Sequence, residues 1–323
     1  MKAAIATENG LAIREVPRPV PKANEVLVQV RAAGLNRAEL AAARLGAPVK
    51  PGAPAPIIGI EWAGEVVEAG VEAKGIKPGD RVMCSGSGGY AEYAVADWGR
   101  VMAIPANNMS FEQAATLPIA LITMHDALVT NGRLKSGESV LIQGASSGVG
   151  LMGLQIAKHK GARLVIGSST NEARRKRLSE FGADLVVDSR ASNWPELVLE
   201  ATEGKGVDLI VDMISGSVAS QNLKAAAILG RIVNVGRLGG MRAEFDFDLH
   251  ALRRIDYVGV TFRTRTIAEV REIHRRMQAG LWDAVTAGKL HLPIDRTFPL
   301  DDAAAAQAHM RANAHFGKIV LIP

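Results

Sequence analysis

The chain has 323 residues, of which 48% are hydrophobic and 22% are charged, and its formal net charge is +5. This composition excludes an intrinsically disordered chain. The length exceeds one ordinary hydrophobic core and therefore predicts two domains. The longest apolar runs, such as residues 117–124, are far shorter than the roughly 20 residues that a membrane-spanning helix needs. We therefore expect no membrane segment.

Cysteine usage and basic residues limit the compartment and the partners. Cys84 is the single cysteine, which excludes an internal disulfide framework and favours a reducing, cytoplasmic location. Lysines and arginines are spread along the chain except for one run, residues 174–177. No aromatic residue interleaves with that run, so it is typical of a solvated helix face rather than of a nucleic acid surface. We do not expect nucleic acid as a partner.

The residue pattern divides the chain into three segments. Residues 1–118 combine Gly- and Pro-rich turns with short β-type runs (26–30, 62–67 and 81–84), a pattern typical of a β-barrel. Residues 119–262 alternate helices with strands predicted at 139–143, 164–166, 185–187, 208–212 and 231–235, which indicates a doubly wound parallel sheet. Residues 263–323 contain a helix predicted at 266–287 and a strand at 317–322, and we expect this segment to complete the first domain. The fold class is therefore α/β.

The strongest local signal is the loop that follows the strand at 139–143. Gly144, Gly148 and Gly150 stand in a run of small residues between that strand and a predicted helix at 149–160. Small residues let the backbone approach a pyrophosphate, which free N–H groups at a helix N-terminus bind. Short-chain dehydrogenases share this spacing but need a Tyr with a Lys four residues later. None of the three tyrosines has one.

The end of the next strand predicts which nicotinamide cofactor is bound. Sheets that bind NAD place an acidic residue there, which accepts a hydrogen bond from the ribose 2′-OH. This chain has Ser168 and Ser169, with no acid until Glu172, and then Arg174. Hydroxyl and guanidinium groups suit a 2′-phosphate. The sequence therefore predicts NADPH.

Together these segments resemble the zeta-crystallin-like quinone oxidoreductase branch of the medium-chain dehydrogenase/reductase superfamily. The resemblance is carried by residues 34–40, 59–64, 117–123, 144–150, 230–233 and 317–320. It implies a GroES-like β-barrel domain (1–118, completed by about 263–323) and a Rossmann domain (119–262). It also implies a homodimer that pairs the Rossmann sheets edge to edge through residues 257–262.

The resemblance assigns roles to individual residues. It implies that Asn36 and Thr123 act at the nicotinamide end, and that Phe262 and Arg263 belong to the segment that closes over the cofactor. Arg190 stands where relatives often have a tyrosine near the adenosine phosphate and is expected to replace it. The remaining cofactor contacts are Ser146, Ser147, Gly148 and Val149 at the pyrophosphate and Ser168, Ser169 and Arg174 at the 2′-phosphate.

The sequence argues against zinc. Zinc needs three or four N, S or O ligands, but all seven histidines lie beyond residue 124 and Cys84 is alone. Cys84 is expected to be a small core residue. His125 is the one histidine placed plausibly for catalysis, although a structural role is favoured, and His274, beside two arginines, is expected at the surface.

These features predict a zinc-independent oxidoreductase that passes hydride from NADPH to a small, hydrophobic, electron-poor, quinone-like acceptor. Alcohol oxidation is disfavoured because it normally needs a metal or a general base. Relatives often have tyrosines facing the substrate where residues 41–43 are alanines, which leaves the acceptor open. The alternatives are an NADPH-dependent enoyl or enone reductase, and an NADPH-binding regulatory or RNA-binding protein with little turnover.

The histidine and cysteine positions generate a prediction about metal content. Because residues 1–124 hold no histidine and one cysteine, the purified protein should contain no stoichiometric zinc, and chelators should leave its activity unchanged. Elemental analysis of the purified chain checks this, and about one zinc per chain would contradict it.

Overall fold

A computed structural model describes residues 1–7, 10–44, 56–106 and 108–323, with the side chains of residues 41–44 outside the description. The chain divides into two compact units. The first unit comprises Met1–Ile119, Val270–Arg275 and Val285–Pro323, and the second comprises Ala120–Glu269 and Arg276–Ala284. The domain borders at 118/119 and 262/263 stay predictions.

Strands and helices are numbered in chain order. The strands are β1 (Lys2–Thr7), β2 (Gly10–Glu15), β3 (Glu25–Gly34), β4 (Glu61–Ala69), β5 (Arg81–Ser85), β6 (Tyr93–Asp97), β7 (Val101–Ala103), β8 (Ser139–Gln143), β9 (Leu164–Ser168), β10 (Leu185–Val187), β11 (Val207–Asp212), β12 (Ala226–Asn234), β13 (Asp256–Gly259), β14 (Ile294–Pro299) and β15 (Lys318–Ile322). The helices are α1 (Arg37–Arg44), α2 (Phe111–Ala114), α3 (Pro118–His125), α4 (Gly148–His159), α5 (Glu172–Lys176), α6 (Trp194–Ala201), α7 (Ala219–Ala225), α8 (Phe247–Arg253), α9 (Ile267–Thr286) and α10 (Ala303–Arg311).

The first unit is built on a seven-stranded sheet and a hairpin. The sheet order is β14-β15-β3-β4-β5-β7, β6 also pairs with β3, and β1 pairs with β2. β3 and β4 approach so closely at Gly64 that a Cβ atom there would lie 1.9 Å from the Gln29 carbonyl oxygen. β15 pairs antiparallel with β3, with Val320 opposite Gly34. The strand predicted at 317–322 therefore joins the first unit.

The second unit contains a six-stranded sheet in the order β10-β9-β8-β11-β12-β13, and every neighbouring pair is parallel. All five predicted strands are present, and the predicted α/β class with a doubly wound parallel sheet is confirmed. The strand order reverses between β8 and β11, and ligands of such sheets bind outside the carboxyl ends of the strands at this switch point. β8 is buried at all five positions, as expected for a strand covered on both faces.

The bounds of the long helix α9 closely match the predicted helix at 266–287. The burial of one of its residues differs from the prediction. Thr266 and Glu269 form a capping box at its start: the Thr266 N–H donates to the Glu269 carboxylate (2.7 Å), and the Glu269 N–H donates to Thr266 Oγ1 (3.3 Å). The prediction that His274 lies at the surface is wrong. His274 is fully buried, and its Nε2 lies 2.9 Å from Ser85 Oγ within the first unit.

None of the described helices combines the length and the apolar character that crossing a bilayer would require.

Candidate functional site

The glycine loop joins β8 to α4 in the second unit. Gly144 opens it in the left-handed region (φ +77°). Ser147 then caps α4: its hydroxyl accepts from the Gly150 N–H (3.1 Å) and donates to the Gly144 carbonyl (3.0 Å). A Cβ atom on Gly150 would lie 2.6 Å from the Gly144 carbonyl oxygen, so only glycine lets the loop pack this closely. The N–H groups of the first helical turn, at Gly148 and Val149, have no acceptor within the helix and suit an anion.

Two serine hydroxyls join this loop to the loop after β9. Ser169 donates to Ser146 Oγ at 2.9 Å. Ser169 is nearly buried and Ser146 is partly exposed. These two predicted cofactor residues therefore lie together at the carboxyl ends of β8 and β9.

The structure corrects the role predicted for Ser168. Its side chain is fully buried. The Ser168 hydroxyl accepts from the Gly144 N–H (3.0 Å) and donates to Gln143 Oε1 (2.6 Å). Its single hydrogen is thus already used, and phosphate oxygens accept hydrogen bonds, so this hydroxyl does not supply a donor for the 2′-phosphate.

A row of buried polar side chains continues from Gln143, and sequence reasoning missed it. Gln143 Nε2 donates to Asn222 Oδ1 (2.9 Å), and Asn222 Nδ2 donates to Asp212 Oδ2 (2.9 Å). Asp212 Oδ1 accepts the N–H groups of Ile214 (2.8 Å) and Ser215 (2.9 Å). Burial raises the pKa of Asp212, while its hydrogen bonds act in the opposite direction. The sequence does show polar residues at the ends of predicted strands, and this was the available signal. It does not show which of these side chains bond to one another.

The basic run lies on α5 and just after it. The Arg174 N–H donates to the capping side chain of Asn171 (3.0 Å), and the Arg174 side chain is partly exposed. Arg175, which was not predicted, donates to the Ser169 carbonyl (2.7 Å) and pairs with Asp188 (3.2 Å). The predicted Arg190 is exposed and donates to the Thr170 carbonyl (2.5 Å). Arg175 and Arg190 therefore both hold the loop that follows β9.

Three further predicted residues also lie in the second unit. Thr123 is partly exposed on α3. Phe262 is partly exposed in the segment after β13, and the Arg265 guanidinium lies 5.8 Å from the centre of its ring. Arg263 is exposed, and its N–H donates to Thr261 Oγ1 (3.2 Å).

Asn36 lies in the first unit, where a buried ion pair holds its amide. Asn36 Nδ2 donates to Glu61 Oε1 (2.8 Å), and Asn36 Oδ1 accepts from Lys318 Nζ (3.1 Å). Lys318 also pairs with Glu61 and donates to the Leu35 carbonyl (2.8 Å). The second Glu61 oxygen accepts the Ile119 N–H (2.8 Å). A flipped amide would place its NH₂ group against the ammonium and its oxygen against the carboxylate, so the orientation of Asn36 is fixed.

Glu39 forms a second buried acidic site beside Asn36. Its carboxylate accepts the N–H groups of Asn36 (2.6 Å) and Ile60 (2.8 Å) and the hydroxyl of Tyr90. Burial raises the pKa of Glu39 from 4.5 to about 7, and the hydrogen bonds only partly oppose this shift. Neither Glu39 nor Lys318 was predicted, although both stand within segments that carry the family resemblance.

Three other titratable groups are poor candidates for proton transfer near neutral pH. Burial, with Lys160 and Arg276 nearby, lowers the pKa of His125 to about 4, which makes it a neutral imidazole. Burial likewise lowers the pKa of His274 to about 3. Burial raises the pKa of the Cys84 thiol, which lies in the core.

Within the described ranges, no group of three or more His, Cys, Asp or Glu side chains is arranged to hold a metal ion.

Known proteins resemble both units of the chain. A family model for the alcohol dehydrogenase GroES-like domain matches residues 22–106, and one for zinc-binding dehydrogenases matches residues 148–279. The chain is 32% identical to human quinone oxidoreductase over 315 residues, covering 95% of this chain and 92% of that protein. It is 33% identical over 313 residues to a phenolphthiocerol/phthiocerol polyketide synthase protein of Mycobacterium tuberculosis, covering 97% of this chain but only 14% of that protein.

Solved structures give the same picture. The quinone oxidoreductase of Pseudomonas syringae pv. Tomato DC3000 superposes with a TM-score of 0.87 at 28% identity, covering 100% of this chain and 99% of the other. The quinone oxidoreductase of Escherichia coli complexed with NADPH superposes with a TM-score of 0.86 at 25% identity, with the same coverage. The predicted pairing of a GroES-like domain with a Rossmann domain is confirmed.

The buried Glu39 generates a prediction about pH. Its pKa in the folded protein is raised to about 7 from 4.5, so between these values the folded chain holds a proton that the unfolded chain has lost. Stability should therefore fall as pH rises through this window, by up to roughly 3 kcal/mol. Glu39→Gln should remove that dependence, whereas Glu68→Gln at an exposed position of β4 should retain it. Urea unfolding between pH 4.5 and 8 checks this, and parallel curves for the wild type and Glu39→Gln would contradict it.

Proposed function

The chain belongs to the quinone oxidoreductase branch of the medium-chain dehydrogenase/reductase superfamily, and on that premise we propose that it transfers hydride from NADPH to a small, electron-poor, quinone-like acceptor. The observation that carries the proposal is the glycine loop at the switch point, followed by Arg174 after a strand that ends without an acid. The human and Escherichia coli relatives are quinone oxidoreductases, and the latter was solved with NADPH.

The loop fits the dinucleotide. Gly150 lets the backbone of Gly144 pack against the first turn of α4, and the N–H groups of Gly148 and Val149 are directed to where a pyrophosphate would bind. Arg174 supplies positive charge for the 2′-phosphate. Ser146, whose hydroxyl accepts from Ser169, keeps its own hydrogen to donate beside it. When bound, NADPH supplies the hydride, and the redox chemistry belongs to the cofactor.

Asn36 and Thr123 are the residues that we assign to the acceptor. One N–H of the Asn36 amide is held by Glu61 at 2.8 Å, whereas the other makes only a long contact of 3.4 Å to the Gly34 carbonyl. That second N–H is the donor available to polarise an acceptor carbonyl. The acceptor gains the hydride and one proton, which solvent provides, since His125 is neutral and buried.

The assignment of Arg174 generates a prediction about cofactor choice. NADPH should bind more tightly than NADH. Arg174→Ala should weaken NADPH binding by about 10- to 100-fold, because a charge-assisted hydrogen bond contributes about 1.5–3 kcal/mol, and it should leave NADH binding unchanged. Fluorescence titration of both cofactors checks this.

Lys176→Ala is the matched control, because it removes the same charge from the same helix at a more exposed position. It should leave the ratio of the two affinities unchanged. Equal affinity of the wild type for NADPH and NADH would refute the assignment.

The small side chains at residues 41–43 generate a prediction about the acceptor; these side chains lie outside the described residues. Alanines enlarge a pocket and leave it apolar, so polycyclic quinones or long enones should be preferred to benzoquinone. At about 25 cal/mol per Å² of buried apolar surface, an added fused ring should lower KM about tenfold. Comparing kcat/KM for benzoquinone, phenanthrenequinone and a long-chain enone checks this.

The outcomes of that comparison separate the candidate functions. Preference for benzoquinone would exclude the enlarged pocket. Turnover of the enone alone would identify an enone reductase. No turnover with any acceptor would favour the cofactor-binding protein, and salt-sensitive RNA binding that competes with NADPH would then support it.

We also propose that the chain forms a homodimer through the edge of the second unit's sheet. β13 is the outermost strand of that sheet in the described part of the chain. Seven of the twelve exposed large apolar side chains among the described residues fall between 228 and 257. Phe245 packs against Phe247 and Tyr257, with ring centres 5.0 and 5.9 Å apart. An unpaired edge beside exposed apolar side chains is typical of an interface.

Charges on this surface should separate the dimer. The double variant Phe247→Glu/Tyr257→Glu should move the mass measured by light scattering from two chains to one, because it buries unpaired carboxylates in the interface. Val71→Glu, at an exposed apolar position of the first unit, should leave the mass unchanged. A monomeric wild type would exclude the dimer.

A further inference from the structure

The hydrogen bonds of the buried polar row below the glycine loop can run in only one donor-to-acceptor direction. The row consists of Ser168, Gln143, Asn222 and Asp212, and all four residues are fully buried. The Asp212 carboxylate can only accept, so the amide nitrogen of Asn222 faces it and the Asn222 oxygen faces the amide nitrogen of Gln143. The Gln143 oxygen then faces Ser168, whose hydroxyl donates to it and accepts from the Gly144 N–H.

Both ends of the row are fixed, and this orients the amides between them. A backbone N–H begins the row at Gly144, and a carboxylate that accepts three hydrogen bonds ends it at Asp212. Turning either amide over would bring two N–H groups or two oxygens together in a site away from water, which is costly. The Asp212 carboxylate therefore orients the two amides, and these direct the Ser168 hydrogen to Gln143 and leave the Ser168 oxygen to accept from the Gly144 N–H.

The row also joins the strand ends that surround the switch point. Gln143 ends β8, Ser168 ends β9 and Asp212 ends β11. Gly144 begins the loop in the left-handed region, and its N–H is the backbone group that the row holds. A shift of Gly144 would move the N-terminus of α4, because the Ser147 hydroxyl bonds both the Gly144 carbonyl and the Gly150 N–H.

We propose that Asp212, acting through Asn222, Gln143 and Ser168, is a positioning residue that sets the place of Gly144 and so the affinity of the glycine loop for the pyrophosphate common to NADPH and NADH. This rests on the proposed function, because it takes the loop as the dinucleotide site. Under this proposal Ser168 holds the glycine loop in place, and Arg174 determines the preference for NADPH over NADH. A substitution that breaks the row should weaken the binding of NADPH and NADH equally, whereas a substitution of Arg174 should weaken the binding of NADPH alone.

The first test is fluorescence titration of the full-length chain with NADPH and with NADH. Ser168→Ala and Asp212→Asn should each raise both dissociation constants about tenfold and leave their ratio unchanged. The double variant should be no weaker than the weaker single variant, because one row is broken in each case. A Ser168→Ala variant that loses NADPH affinity alone would show a 2′-phosphate contact and overturn the proposal, as would additive effects or unchanged affinities.

The second test needs no cofactor. Hydrogen exchange followed by mass spectrometry should show faster exchange at residues 144–150 in Ser168→Ala and in Asp212→Asn, with no change in Arg174→Ala. Unchanged exchange in Ser168→Ala would overturn the proposal whatever the affinities. Faster exchange in a protein that binds neither nucleotide would instead support the row and reject the proposed function. If Asp212→Asn does not fold, Asn222→Ala replaces it, because it cuts the same row one residue earlier.

Discussion

The first unit depends on the buried ion pair between Lys318 and Glu61. Taking two charges out of water costs several kcal/mol for each ion unless hydrogen bonds replace the lost hydration. Here Lys318 gives its three N–H groups to Glu61, Asn36 and the Leu35 carbonyl, and Glu61 accepts from Asn36 and from the Ile119 N–H. Removing either partner would leave an uncompensated charge beside Asn36. The pair thus joins β15 and β4 to the amide that we assign to the acceptor.

The second unit holds its glycine loop in a comparable way. Asp212 is also a buried carboxylate, but its partners are backbone N–H groups and the Asn222 amide rather than a cation. In both units a fixed carboxylate determines the orientation of a side-chain amide, at Asn36 in one and at Asn222 in the other. The two assignments therefore rest on the same physical property: an amide has a donor end and an acceptor end, and a carboxylate accepts only one of them.

Local pattern was sufficient to predict the sheet and the loop. β8 and β10 have the predicted bounds, because short apolar runs between helices leave few alternatives to a parallel sheet. The bounds of β12 were less accurate: it begins at Ala226 rather than at 231, and Leu229 within it adopts a left-handed φ of 63°. Single-residue irregularities of this kind depend on packing and leave no period in the sequence.

Interactions between distant residues were not predictable from pattern. Gln143 meets Asn222, 79 residues away, and Asn36 meets Lys318, 282 residues away. The error at His274 has a simpler cause. Neighbours on a helix point about 100° apart, so Arg275 and Arg276 can reach solvent while His274 is buried. The role first given to Ser168 was mistaken because the sequence shows a hydroxyl but not where its only hydrogen goes.

The pairing of β15 with β3 also bears on how the chain is made. Lys318 donates to the carbonyl of Leu35, 283 residues earlier, so β3 leaves the ribosome long before β15 is synthesised. Ribosomes add about 5–20 residues per second, and the wait is therefore on the order of tens of seconds. Most of the second unit is a continuous stretch, Ala120–Glu269, and much of it can fold during that interval. β6 can cover β3 at residues 25–29 meanwhile, and only the end of the strand at Ala33 and Gly34 waits for β15. This short unpaired edge is the place where chaperone contact or misfolding would begin.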